Sequence, residues 1–151
     1  MIKIIDKLEG KKIDLVLDKF IEENKEKGYL PALMYHIVLK GTNNIVGHCS
    51  AKIGYNEFMY YAGHTGFSVN ENYRRQGFAT EAVNLIKKVF KANGMNWIYI
   101  TNNPDNQGSI RVCEKVGAKF VKMMEFSEQE LRKFAVEDSY KNIWELKFQE
   151  T

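Results

Sequence analysis

The chain has 151 residues, 44% of them hydrophobic and 27% charged, with a formal net charge of +3. That length suits one domain over residues 1–151 with its own core, and the mild positive charge is too small to point to nucleic acid as a partner. Two cysteines without paired spacing, Cys49 and Cys113, argue against a disulfide framework or a four-ligand zinc site. The start, "MIKIIDKLEG", lacks the apolar core of a signal peptide, and no apolar run approaches the ~20 residues of a membrane span. The expectation is a soluble cytoplasmic protein with no membrane partner.

In chain order, "IDLVLDKFIEENKEK" (13–27) has Ile13, Val16, Leu17, Phe20 and Ile21 at helical spacing, which predicts a helix ended by Gly28. "LMYHIVLK" (33–40) and "IVGHCSAKIGY" (45–55) read as strands separated by a "GTNN" turn. The aromatic-rich "NEFMYYAG" precedes a third strand, "HTGFSV" (64–69). A well-patterned helix follows, with Ala79, Ala82, Val83, Ile86, Val89 and Phe90 on one face and Glu81, Asn84, Lys87, Lys88 and Lys91 on the other. Gly94 or Asn93 caps its C-terminus. "NWIYIT" (96–101) is a strand, "SIRVCEKV" a short helix stopped by Gly117, "KFVKMMEF" a strand, "SEQELRKF" a helical turn, and "NIWELKF" (142–148) a final strand that could pair across a homodimer edge. Strands and helices are thus mixed in one α+β domain.

The order strand, loop, helix around Arg74–Thr80 carries chemistry. A helix start leaves about four N–H groups without intrahelical partners, and its dipole favours negative charge. Gly77 can adopt backbone angles closed to other residues, and Ala79 and Ala82 let a ligand or the sheet come close. Arg74 and Arg75 can add charge-assisted contacts from outside. A diphosphate uses this donor set better than a carboxylate does. No Gly-Lys-Ser/Thr follows, so the loop is not a Walker-type phosphate loop, and its single glycine is not a dinucleotide fingerprint. Read alone, the same residues also describe a solvated basic turn.

"FSVNENYRRQGFATEA" resembles the acetyl-coenzyme A signature of the GNAT N-acetyltransferase superfamily, Arg/Gln-x-x-Gly-x-Gly/Ala after a strand ending in valine. Downstream, "NNPDNQGSIRVCEKVGAKF" is similar to the family's second segment, with Asn106, Ser109, Val112, Lys115 and Gly117 in matching positions. The resemblance implies a mostly antiparallel twisted sheet of about six or seven strands with flanking helices. It also implies acetyl-CoA as cosubstrate, without a metal, and an amine as the second partner. The strand Phe67-Ser68-Val69 would hold the pantetheine arm, through the backbone of Phe67 and Val69. The N–H groups of Gln76, Gly77, Phe78, Ala79 and Thr80 would cradle the diphosphate, and Asn106 and Ser109 would lie along the far side of the arm. "YAGHTGFSV" looks most like a bacterial group of predicted acetyltransferases with no assigned substrate.

Cys113 stands where many members carry a tyrosine that protonates the leaving thiolate, and Ala118 replaces the usual phenylalanine. A thiol with reference pKa ~8.5 can donate a proton, or Cys113 is simply a small buried residue. An alkylammonium of pKa ~10.4 must lose a proton before it attacks a thioester, and His64 is the candidate base. Alternation groups His64 with Gly66 and Ser68, opposite Thr65, Phe67 and Val69. Glu81 is expected to face solvent or favour its own helix start. His36, His48, Cys49 and His64 match no standard metal spacing. The Phe58, Tyr60 and Tyr61 group either lines an acceptor pocket or packs a loop edge. The sequence therefore points to an N-acetyltransferase, with a non-catalytic acyl-CoA-binding or sensing module as the alternative.

Overall fold

Period two, not helical spacing, governs residues 13–21. In the computed structural model, which describes residues 1–148, this segment is strand β2 (Ile13–Ile21), paired antiparallel with β1 (Lys7–Glu9) and β3 (Ala32–Leu39). The expected helix over 13–27 is corrected, and the reason is physical. Ile13, Leu15 and Leu17 alternate toward the core, then a register shift between Leu17 and Lys19 adds one residue and returns Phe20 to the same side. A bulge inside a strand thereby imitates the three-residue step of a helix. Gln149, Glu150 and Thr151, the tail of the expected 1–151 domain, lie outside the described residues.

β3 pairs with β4 (Ile45–Lys52), and β4 with β5 (Phe67–Val69), completing a five-stranded antiparallel sheet in the order β1-β2-β3-β4-β5. A second sheet has the order β6-β8-β7, from β6 (Trp97–Asn102), β7 (Lys119–Glu125) and β8 (Tyr140–Lys147). Four helices accompany them: α1 (Met59–Ala62), α2 (Phe78–Ala92), α3 (Gln107–Lys115) and α4 (Glu128–Phe134). The fold is mixed α+β in a single domain, with two sheets and eight strands where six or seven in one sheet were expected. The final strand is corrected too. β8 lies between β6 and β7, so both its backbone edges are used and it cannot pair with a second copy.

α2 buries Ala82, Val83, Ile86, Val89 and Phe90 completely and packs against β1, β2, β4 and β5. Its first turn is tied down by Glu81, whose carboxylate accepts the backbone N–H groups of Lys11 at 2.8 Å and of Lys12 and Ile13 at 3.0 Å. Glu81 stands in the first turn of α2, as expected, and its carboxylate is engaged by the β1–β2 turn rather than by solvent. Gly10 makes room for it, since a Cβ there would lie 2.2 Å from Glu81 Oε2. The two sheets touch where the His64 N–H donates to the Tyr99 carbonyl at 2.9 Å, just before β5 begins. Beyond that point β5 and β6 belong to different sheets and each presents an edge.

Candidate active site

The register of β5 decides which of its backbone groups are free. The Ser50 N–H donates to the Gly66 carbonyl and the Asn70 N–H to the Val46 carbonyl, with Ser68 opposite His48. Antiparallel ladders alternate, so Gly66, Ser68 and Asn70 turn their backbone toward β4, while Phe67 and Val69 turn theirs to the open edge. Ser68, expected beside them, instead has its backbone in the ladder and its side chain exposed on the sheet face. Arg74 Nε donates to the Val69 carbonyl at 2.8 Å, pinning the loop to the strand. The remaining edge groups are the N–H and C=O of Phe67 and the N–H of Val69.

The mouth of α2 follows. Gly77 is its N-terminal cap in the left-handed conformation, φ 80°, and no side chain caps the helix. Arg75, at φ 65°, is also left-handed, an unusual state for a residue with a Cβ. The first backbone bond into the helix runs from the Glu81 N–H to the Gly77 carbonyl at 3.0 Å. The N–H groups of Gln76, Gly77, Phe78, Ala79 and Thr80 thus have no partner among the described residues. No atom lies within 4 Å of the place a Gly77 Cβ would take, so the space over the mouth is open. Lys12 Nζ donates to the Gln76 carbonyl at 3.3 Å and brings a cation to the rim from 64 residues away. Local motif reading had no means of finding Lys12.

α3 flanks the other side, packed against β6 and α2. Asn106 is its cap, accepting the Ser109 N–H at 3.1 Å. Beneath it lies buried Asn102, which no motif singled out. Its Nδ2 donates to Ser109 Oγ at 3.2 Å and Cys113 Sγ at 3.5 Å, and its Oδ1 accepts from Trp144 Nε1 at 3.3 Å. Cys113 is fully buried, and burial pushes its thiol up to about 12. Such a thiol holds its proton more tightly than the alkyl thiol it would serve as an acid.

His64 is also fully buried. Its Nδ1 accepts the Tyr99 N–H at 2.9 Å and its Nε2 lies 2.8 Å from the Gly54 carbonyl, which fixes the tautomer with hydrogen on Nε2. Burial lowers its pKa from 6.5 to about 4. With both nitrogens engaged, the ring expected as the base here clasps the two sheets together. Tyr61 of the aromatic group is buried as well and donates to the Asp138 carbonyl at 2.7 Å. Cys49 lies on the core side with Thr65, away from His48. Beside β5, a cavity of about 230 Å³ is lined by Met34, His48, Ser50, Gly66 and Ser68 of the opposite face together with the core-side pair Cys49 and Phe67.

Residues 9–119 match the family model of the acetyltransferase (GNAT) domain. The chain belongs to the GNAT acetyltransferase family. It is 31% identical over 100 residues to the uncharacterized N-acetyltransferase YnaD of Bacillus subtilis (strain 168), a match covering 64% of this chain and 55% of YnaD. The chain thus spans little more than half the length of that curated relative. Among solved structures, the microcin C7 self-immunity acetyltransferase MccE, in complex with acetyl-CoA and AMP, aligns with a TM-score of 0.59 at 20% identity, covering 82% of this chain and 63% of MccE. The ribosomal L7/L12 α-N-protein acetyltransferase RimL, in complex with coenzyme A, aligns with a TM-score of 0.65 at 15% identity, covering 92% and 96%. At these identities the structural likeness speaks for the fold. No helix among the described residues is long and apolar enough to cross a membrane.

Proposed function

We propose that this chain moves the acetyl group of acetyl-CoA directly to a primary amine, with both substrates bound together. The observation that carries the reading is the uncapped mouth of α2, opened by left-handed Gly77 a short loop after a strand whose Phe67 N–H and C=O and Val69 N–H face the open edge. The diphosphate would take the N–H groups of Gln76 to Thr80, with Lys12 and Arg75 at the rim, and the pantetheine amides would extend β5 as an added strand. Asn106 and Ser109 would border the arm from α3. Acetyl-CoA supplies a thioester, whose carbon–sulfur bond gives way to an amine. The acceptor class is an amine of a small molecule, a protein N-terminus or a lysine; the α-N-protein activity named for RimL supports a protein N-terminus within it.

A second reading, acyl-CoA binding without turnover, draws on the sequestration of His64 and Cys113, the two groups first expected to move protons. Calorimetry with coenzyme A and thiol release from acetyl-CoA across an amine panel separate the two. Binding with release supports transfer, and tight binding with no release favours the module. Equal binding by wild type and Gly77→Glu removes the site from both.

A further inference from the structure

Two rows of side chains cross the sheet toward the cavity beside β5, on the face turned away from α2. Met34, Ser50 and Gly66 form one row; Val16, His36, His48 and Ser68 form the next. Residues opposite one another in a ladder point to the same face with Cβ atoms about 4.5–5.5 Å apart, so each row is a contiguous track. Both tracks end at β5, beside the edge that would hold the thioester. Gly66 leaves the gap at the end of the first track. At about 230 Å³ the cavity is smaller than the ~300–1,000 Å³ of drug-sized ligand sites, which suits a single amine stem.

The second track holds an unsatisfied group. His36 Nε2 lies 3.3 Å from Asp18 Oδ1, while its Nδ1 is buried without a hydrogen-bond partner among the described residues. With the hydrogen on Nε2, that Nδ1 is a bare acceptor. The neighbouring ring is His48, tilted, with centroids 5.3 Å apart. His48 is exposed, and a turn of its ring would let it donate one N–H to His36. Its other nitrogen would then carry a lone pair into the cavity. The charged and titratable groups facing His48 are His36 and Asp18 through that chain, Lys19 opposite Met34, and Lys52 further along β4; β5 offers Ser68 and Gly66, which do not titrate.

We propose that His48 is the catalytic base that takes the acceptor's proton, with His36 and Asp18 as its positioning residues. The inference rests on the acetyl-transfer reading above. An ammonium in the cavity gives one proton to His48, and the freed nitrogen pair forms the C–N bond to the acetyl carbon. The C–S bond breaks with its electrons on sulfur, the nitrogen's second proton leaves with the thiol, and His48 returns its proton to solvent. The position also explains how the fold can dispense with His64 and Cys113.

The test uses n-butylamine as acceptor and coenzyme A binding as the control. His48→Gln is expected to bind coenzyme A within twofold of wild type but to lose ~100-fold in kcat/KM at pH 7, within the usual range for a removed base. The deficit should shrink toward pH 10, where butylamine is increasingly neutral by itself. Asp18→Asn should show a smaller deficit with the same pH trend. A deficit below threefold, or one equal at every pH, overturns the proposal. If wild type does not turn over butylamine, ¹⁵N-histidine spectra of the coenzyme A complex decide: butylammonium must shift the His48 signals, and silent signals overturn the proposal while acetyl-CoA binding stands. Failure to bind coenzyme A overturns both.

Discussion

The mouth of α2 and the open face beside β5 lie on either side of one three-residue strand, and they are made of different things. The mouth is backbone: free N–H groups of Gln76 to Thr80, aimed by two left-handed residues. The open face is side chain: His36, His48, Ser50 and Ser68, brought together by pairing across strands. Backbone donors recognise what every acyl-CoA shares, whereas side chains recognise what one acceptor has. Changes at the mouth should therefore alter cosubstrate binding and spare the fold. Changes at the clasp between the sheets should do the reverse.

His64→Ala is expected to have the largest effect on the fold. It strands the Tyr99 N–H and the Gly54 carbonyl in the interior and removes a ring packed among Tyr55, Phe90, Trp97 and Tyr99. The expected loss is about 3–5 kcal/mol in urea unfolding, and a loss below 1 kcal/mol would refute the clasp. The same residue sets a pH window. Its folded pKa, about 4, lies below the ordinary 6.5, so its contribution is whole above pH 6.5. As pH falls toward 4 the unfolded chain takes up a proton that the native state refuses, and about 3 kcal/mol drains away before the curve levels. Asp14 acts lower. Although burial opposes ionisation, its bonds to Lys40 and Gly10 hold its pKa below 3.8, so its contribution is lost only as pH falls below that value. In wild type the slope between pH 6.5 and 4 should be steep, and in His64→Gln it should flatten.

Gly77→Glu is the counterpart at the mouth. A side chain at φ 80° strains the cap, and a carboxylate there occupies and repels a diphosphate. Coenzyme A affinity should fall by roughly 100-fold, about 2.7 kcal/mol, with a thermal shift of only a few degrees. Glu81→Ala joins the two regions. It frees three backbone N–H groups of the β1–β2 turn and unfastens the start of α2. It should cost about 1–3 kcal/mol of stability and weaken coenzyme A binding severalfold, as urea titration and calorimetry on one sample would show.

The mouth was legible in the sequence because its signals are local: a glycine, small residues and a helix period within ten positions. The edge of β5 was legible for the same reason. What escaped depends on partners far apart in the chain. β2 read as a helix because its bulge supplies a three-residue step. Glu81 could not be assigned because the turn it satisfies lies about 70 residues away. The ladder keeps His64 in register with Gly66 and Ser68, the Lys52 N–H donating to its carbonyl, and what escaped was its bond to Tyr99, 35 residues away. The pairing of His36 with His48 is a fact of register, and register is set by the whole sheet.

Cys113→Ala gives the smallest expected effect and the sharpest contrast. The resemblance sets Cys113 where many members carry an acid, and the structure buries its thiol beneath Asn102. Alanine removes one weak acceptor and a sulfur's worth of packing, about 1 kcal/mol by analogy with other buried truncations, while Asn102 keeps Ser109 and Trp144 as partners. Thiol release from acetyl-CoA should stay within about threefold of wild type at pH 7, because a coenzyme thiolate needs little protonation to leave. A fall of 100-fold with coenzyme A affinity intact would return the proton chemistry to α3. A near-wild-type rate leaves it on the open face, where the proposal places the acceptor.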